Sequence, residues 1–463
     1  MATRRDQLHS YQFLTQRVIS AFVMRETDPQ QSPLRRGIGA VFAGVMVAIL
    51  IAAGFGIYGI ITNVGGDKWK TDGAVVIEKE TGATFVFSGG VLHPTLNYAS
   101  AMLITGRPGP RVFRVGGAAL DETPRGVPVG IPGAPTSLPP AKRRVGLPWT
   151  VCATPDADGA GGAASRVTLA VAAAPSGGRR LGEEGVLVAD AELELTYLVW
   201  HGRRHLVQSP RTVVPALFGA VSAAPVGTAW LNALPAGADI ARISVDGRGR
   251  PSPSLPDRVI GEILATETGS GTQFWLVLPD GAAPITPLQQ AVLNAEFPAE
   301  PTPVPVATVT NGPISARRLP AGDTQPPESP PPLVAPAGGD GLCAVTGDPA
   351  APPAVWTGGT VPGLAAAIPT PGASPDGVPL ADGVLVPSGR VATVRAKASP
   401  TAPSGPYYVV TDLGLRHSVP TPAVLESLGY PPEQVVDVPA TLIGLLPAGP
   451  TLDPAAAARP AGS

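Results

Sequence analysis

The chain has 463 residues, with 33 Lys and Arg against 35 Asp and Glu for a net charge of −2, and 44% of it is hydrophobic. Acids and bases are interspersed, which excludes the basic face that a nucleic-acid binder needs. Gly (56) and Pro (57) make up about a quarter of the residues, near the disordered range, but the apolar residues cluster in short blocks between Pro/Gly-rich stretches, as in small domains on connectors.

Residues 1–36 begin with RRDQLHSYQFLTQRVISAF. Leu8, Tyr11, Leu14, Val18 and Phe22 recur at three- and four-residue spacing, the mark of an amphipathic helix, which Thr27-Asp28-Pro29 ends. So short a segment cannot bury its own apolar face. It either packs on a partner or lies on a membrane surface beside its arginines.

From Gly37 to Thr62 no residue is charged. As a helix the run is roughly 39 Å long, enough to cross a bilayer core with some tilt. Arg4, Arg5, Arg17, Arg25, Arg35 and Arg36 precede it, and the charges of Asp67, Lys68, Lys70 and Asp72 cancel after it. This places the N-terminus in the cytoplasm and the remainder outside, as a single-pass anchor; the alternative is a buried core helix. Ala40, Gly44, Ala48, Ala52 and Gly56 form a small-residue series at every fourth position, a ridge suited to helix–helix packing, although an Ala- and Gly-rich composition produces such series too.

Beyond the span one pattern recurs four times: an aromatic-led β run, a turn with glycine, a short apolar pair, then a helix start. The copies begin at Thr84, Thr196, Gln273 and Tyr407. In the last three the helix starts at Ser209-Pro210, Thr286-Pro287 and Thr421-Pro422, an N-cap followed by proline at the first helical position. The turns are His201-Gly202, Asp280-Gly281 and Leu413-Gly414, and LPAG returns at Leu234, Leu319 and Leu446. Four degenerate copies of one small α+β module account for this. Proline-rich runs at 125–140, 298–305 and 325–336 read as semi-rigid spacers.

Cys152 and Cys343 are the two cysteines. An even count in an oxidising compartment favours a disulfide; the other reading is two separate thiols. The alternating apolar stretches 167–172 and 384–395 suit strands of a central unit that the bridge ties together. The expected boundaries are a cytoplasmic helix at 1–36, the span at 37–62, repeats at 63–120, 186–245, 246–322 and 401–453, central segments at 121–185 and 323–400, and a disordered tail at 454–463.

Catalytic signatures are missing from the sequence. None of the lysines (68, 70, 79, 142 and 397) stands in Gly-x4-Gly-Lys-Ser/Thr, and there is neither a GxSxG elbow nor an HExxH helix. His201 and His205 are four apart, but Gly202 puts them on a hairpin, not on one helix face. His93 and His417 stand at similar points of other copies, which favours a structural role. No catalytic, cofactor or metal site is expected, and the chain reads as a non-enzyme.

The N-terminal block RRDQLHSYQFLTQRVISAFVMRETDP, the single span, TGATFVFSGGVLHPTLNYASAMLITG, LPWTVC, LVWHGRRHLV and LCAV together resemble EccB, the membrane component of the actinobacterial type VII (ESX) secretion system. The resemblance covers essentially the whole chain. It implies a cytoplasmic helix, one span, and an elongated periplasmic domain of four repeats around a disulfide-closed core. It also implies assembly with the EccC motor ATPase, EccD and EccE, self-association with other EccB copies, and export of WXG100-type proteins. ATPase activity has been proposed within the family; the lack of a phosphate-cradling lysine argues against it here. The competing reading is a membrane-anchored repeat protein that binds peptidoglycan.

Overall fold

A computed structural model describes residues 3–25, 33–61, 67–155, 165–317, 324–337 and 339–461. They fall into two compact units, residues 1–70 with 115–122 and residues 71–114 with 123–463.

The first unit contains helices α1 (Arg4–Met24) and α2 (Pro33–Ile61). Asp6 fixes the start of α1, since its carboxylate accepts from the Thr3 backbone N–H (3.0 Å) and hydroxyl (2.6 Å). The expected stop at Thr27–Pro29 lies outside the described residues. The apolar stripe of α1 is uncovered, Phe22 being 86% exposed. In α2, Gly37–Tyr58 is the one stretch among the described residues long and apolar enough to cross a membrane, and none of it is buried.

Each repeat is built on the same four-stranded plan. The first has β1 (Ala74–Glu78), β2 (Thr84–Ser88), β3 (Val91–Thr95), α3 (Tyr98–Thr105) and β4 (Val112–Val115). Next, β5 (Trp149–Pro155), β6 (Ser165–Val171) and β7 (Arg179–Arg180) belong to the central sheet. The second repeat follows with β8 (Val186–Asp190), β9 (Thr196–Trp200), β10 (Arg203–Leu206), α4 (Pro210–Phe218), β11 (Ala224–Val226) and α5 (Thr228–Asn232). The third has β12 (Ile263–Thr268), β13 (Gly271–Leu278), β14 (Gly281–Ile285), α6 (Pro287–Glu296), β15 (Thr302–Pro303) and α7 (Val306–Thr310). The chain then returns to the centre with β16 (Leu342–Thr346), β17 (Ala354–Thr357), β18 (Ile368–Pro369) and β19 (Gly383–Leu385). The fourth repeat has β20 (Val391–Lys397), β21 (Tyr407–Thr411), β22 (Arg416–Val419), α8 (Pro422–Ser427), β23 (Val436–Pro439) and α9 (Ala440–Gly444), and α10 (Pro454–Ala457) ends the described helices.

In every repeat three antiparallel strands form a meander, and the chain crosses through the helix to place the fourth strand beside the first, in the order β3-β2-β1-β4 and its equivalents. The fourth strand runs parallel to the first in β11–β8, β15–β12 and β23–β20. Parallel pairing needs a crossover, and the helix supplies it. In repeat 3 the hairpin tip is Pro279-Asp280 and not the expected Asp280-Gly281, since Gly281 already pairs with Leu278; the tip of repeat 2 fits the plan. His201 (φ 47°) and Gly202 (φ 70°) both turn left-handed between the paired Trp200 and Arg203, as a two-residue type I′ loop requires. Helix starts differ in detail. Thr286 and Gln289 form a reciprocal capping box, whereas the Ser209 and Thr421 side chains make no cap bond and only the proline at the first turn is kept.

The central sheet has the order β18-β19-β6-β5-β16-β17-β7. Cys152 and Cys343 face each other across β5 and β16 and are joined as a disulfide. Strands on both sides of the excursion through repeats 2 and 3 therefore sit side by side.

Packing explains which repeats touch. One face of repeat 2 (Val186, Val188, Val199) and one face of repeat 4 (Val394, Val410) share a core with the central strands around Trp149, Leu169 and Trp230. Their opposite faces take a partner repeat. Leu187 and Leu198 pack with Leu288 and Val292 of repeat 3, and Val391 and Val409 with Val86 and Leu103 of repeat 1.

Three expectations need correction. The stretch 384–395 is divided: Gly383–Leu385 joins the central sheet, but Val391–Lys397 is the first strand of repeat 4, since β21 needs a partner on that side. Repeat 4 thus begins before residue 401. The proline-rich runs are not free spacers. Proline lacks a donor but keeps its carbonyl, and here Pro135, Pro139 and Pro332 accept from the Ala99 N–H, the Tyr430 hydroxyl and the Gly185 N–H, while Thr302–Pro303 is the strand β15. The tail is ordered: Asp453 caps α10 through the Ala455 and Ala456 N–H groups, Leu452 and Ala457 are buried against α3, and Ala461 N–H bonds the Pro128 carbonyl.

Candidate interaction sites

The small-residue ridge is the first candidate. Helical geometry sets Ala40, Gly44, Ala48, Ala52 and Gly56 in an every-fourth-residue row that slants around α2, each beside the next. A Cβ built on Gly44 or Gly56 meets no atom within 4 Å, so nothing among the described residues fills the groove beside them. With bulky Ile38, Phe42 and Leu50 exposed around it, this is the place on the helix where another backbone can come close. The stripe of α1 is the second surface without a cover.

In the second unit the histidines occupy a repeated slot. After each meander the chain returns along the third strand, bridging Leu92 to Arg125, Arg204 to Ala236, Ala282 to Ile314 and Arg416 to Ala448. The next residue on the strand is His93, His205, Ala283 or His417; the next on the return segment is Gly126, Gly237, Ser315 or Gly449. The two positions vary together. Where a histidine stands, a Cβ on the glycine would come within 2.4, 2.2 and 2.2 Å of its ring. Repeat 3 has a small Ala283 and accommodates a serine.

His205 Nδ1 lies 2.8 Å from the Ala238 carbonyl and His417 Nδ1 3.0 Å from the Pro450 carbonyl. Each Nδ1 therefore carries the proton and donates it. Burial pushes both imidazoles below the usual histidine range, opposed at His205 by the Ala238 carbonyl and Asp239. His201 is not part of the slot; at the hairpin tip it stacks on Trp200 and meets Glu183 at 3.0 Å. The two histidines that are four apart in sequence are thus separated in function, and among the described residues no group of three or more His, Cys, Asp or Glu is placed to hold a metal. The paired His and Gly changes were visible in the sequence, but aligning them required the register of the return segment.

Gly237→Ala is expected to destabilise the fold by about 1–3 kcal/mol, because His205 cannot retreat from its slot. Gly444→Ala, whose added Cβ meets nothing, is expected to be neutral or mildly stabilising. Denaturant midpoints of the two variants check this.

A family profile described as "Type VII secretion system ESX-1, transport TM domain B" matches residues 1–461. The chain belongs to the EccB family. This EccB chain is 29% identical to the ESX-3 secretion system ATPase EccB3 of Mycobacterium tuberculosis over 97% of its own length and 88% of that protein's. It is also 29% identical to ESX-1 secretion system ATPase EccB1 of the same species, over 98% and 94%. With ESX-5 secretion system ATPase EccB5 the identity is 31%, but the match spans only 63% of that relative and 68% of this chain. A chain of an intact ESX-5 inner membrane complex superposes with a TM-score of 0.66 at 27% identity, covering 100% of this chain and 96% of that one. The EccB3 dimer from the ESX-3 core complex gives 0.63 at 26% identity, covering 83% and 100%.

Proposed function

We propose that this EccB chain is a structural, non-catalytic subunit of a type VII (ESX) inner-membrane secretion complex, supporting export of WXG100-type proteins. The observation that carries this reading is the match of the whole chain, apolar helix included, to a chain of an intact ESX-5 inner membrane complex. The arginines before α2 put α1 in the cytoplasm and the repeats outside. There α1 docks on a cytoplasmic part of the complex, the ridge of α2 packs on a neighbouring span, and the repeats meet other EccB copies. The EccC-type motor, EccD and EccE are the partners this arrangement calls for. Its relatives carry the word ATPase in their names, but this sequence has no Gly-x4-Gly-Lys-Ser/Thr loop to cradle a nucleotide phosphate. The work of export then falls to the motor.

Gentle detergent extraction of a tagged chain, with mass spectrometry of what co-migrates on a native gel, tests the proposal. A motor ATPase and a multispanning protein are expected in the band. A lone chain would overturn the reading in favour of a wall-binding anchor. The paired substitution Gly44→Leu and Ala48→Leu is expected to weaken co-purification about tenfold, the scale of one lost helix–helix packing contact. Unchanged recovery would remove the ridge from the interface.

A further inference from the structure

The slots of His205 and His417 differ from the other two in one respect: they belong to the repeats that dock on the central sheet. In both, the return segment reads Leu-Pro-Ala-Gly. Its leucine, Leu234 or Leu446, is fully buried in the core shared with the central strands, and its glycine, Gly237 or Gly449, lies against the imidazole. One short segment thus seats the repeat on the centre with one residue and rests on the histidine with another. Repeats 1 and 3 do not dock there. They have Thr123 and Gly312 in place of the leucine, and their slots hold a half-buried His93 and Ala283.

We propose that His205 and His417 form a paired acid-sensitive latch: as neutral imidazoles they hold the return segments that seat repeats 2 and 4 on the central sheet, and protonation releases both segments together. Nδ1 already donates to a backbone carbonyl in each slot, so a second proton must go on Nε2. His205 Nε2 is buried without a partner, and an N–H placed there would have no acceptor. His205 pairs in register with Leu198 and His417 with Val409, both fully buried. The charged groups bearing on His205 are Arg203 on its own strand, which opposes protonation, and Asp239 on the return segment, which favours it. Arg204, the neighbour on the strand, reaches Asn232 Oδ1. Among the described residues no charged side chain offsets the burial of His417, whose strand neighbour Arg416 turns to the Ile443 carbonyl.

Because the folded-state value is depressed below the unfolded one, the unfolded or opened form binds more protons in acid. The latch is therefore intact above about pH 6.5, the unfolded value, and weakens as pH falls below it.

Hydrogen exchange of the full-length chain in detergent, with labelling times scaled to the intrinsic rate, reads the latch directly. Between pH 7.5 and pH 5.0, peptides covering 234–240 and 446–452 are expected to lose protection several-fold, because the opened form binds the extra proton more tightly than the closed form. A double variant with the pair found in repeat 3 at both slots (His205→Ala with Gly237→Ser, His417→Ala with Gly449→Ser) is expected to lose that pH dependence. Equal protection of the wild type at both pH values would overturn the latch, as would the same pH dependence in the variant. Should that variant fold poorly, His205→Gln with His417→Gln keeps a donor for the carbonyls and cannot take a proton, and the same two outcomes apply.

Discussion

Replacing Cys343 with serine is expected to lower the stability of the second unit by about 5 kcal/mol. The bridge closes a loop of 191 residues, and in the chain-entropy model a loop of that size accounts for about this much. The surroundings add to the effect. Both cysteines are buried with Ala170 and Val361, so a serine hydroxyl there would be desolvated. Cys343→Ala separates the two contributions, because it opens the loop without a buried hydroxyl. Calorimetry of the variants under non-reducing conditions measures both, and melting equal to the wild type in each would show that the sheet holds without the bridge.

Trp230→Ala is expected to cost about 3–5 kcal/mol, the range for emptying a large buried aromatic site. Trp230 is fully buried at the junction between repeat 2 and the central sheet, and its Nε1–H donates to the Val151 carbonyl at 3.1 Å. Trp230→Phe keeps most of the volume and loses only that bond, for about 1–2 kcal/mol. The fourth repeat has Leu442 at the corresponding place, in the same core. Repeat 3 has Thr308 there, and it packs on repeat 2 without contributing to the core of the central sheet. Chemical denaturation of the two variants, with the loss for Phe well below that for Ala, checks the assignment. Similar losses would mean that the bond, not the volume, dominates.

Much of this arrangement was legible in the residues. The charge-free run after Arg36, the four aromatic-led strands and Gly202 and Gly414 at their hairpin tips report local chemistry, and each forms the local structure its residue types favour; Gly281 instead opens a strand. The pairing of repeats was not legible. Val391 and Leu425 pack with Leu103 because of a chain path over hundreds of residues, and no local period encodes that. The first strand of repeat 4 was hidden for a related reason, because VATVRAK reads equally well as a strand of either neighbouring sheet. The prolines misled for a physical reason. A run that cannot donate hydrogen bonds looks like a spacer until a neighbour is found using its carbonyls, as Gly185 uses Pro332 and Ala99 uses Pro135. The LPAG at Leu319 lies outside the described residues, and in repeat 3 Pro313-Ile314-Ser315 fills that role.

The ordered tail has a consequence for how the protein is made. Residues 98–105 of α3 leave the ribosome long before residues 454–461, yet Leu452, Ala457 and the segment ending at Ala461 are what cover that helix and lengthen the edge of its repeat. The first repeat to be synthesised is therefore among the last to be completed. Until residues 452–461 arrive, Ala101, Met102 and Leu103 lack part of their cover, so a chain cut before residue 452 leaves an apolar patch open on its first repeat.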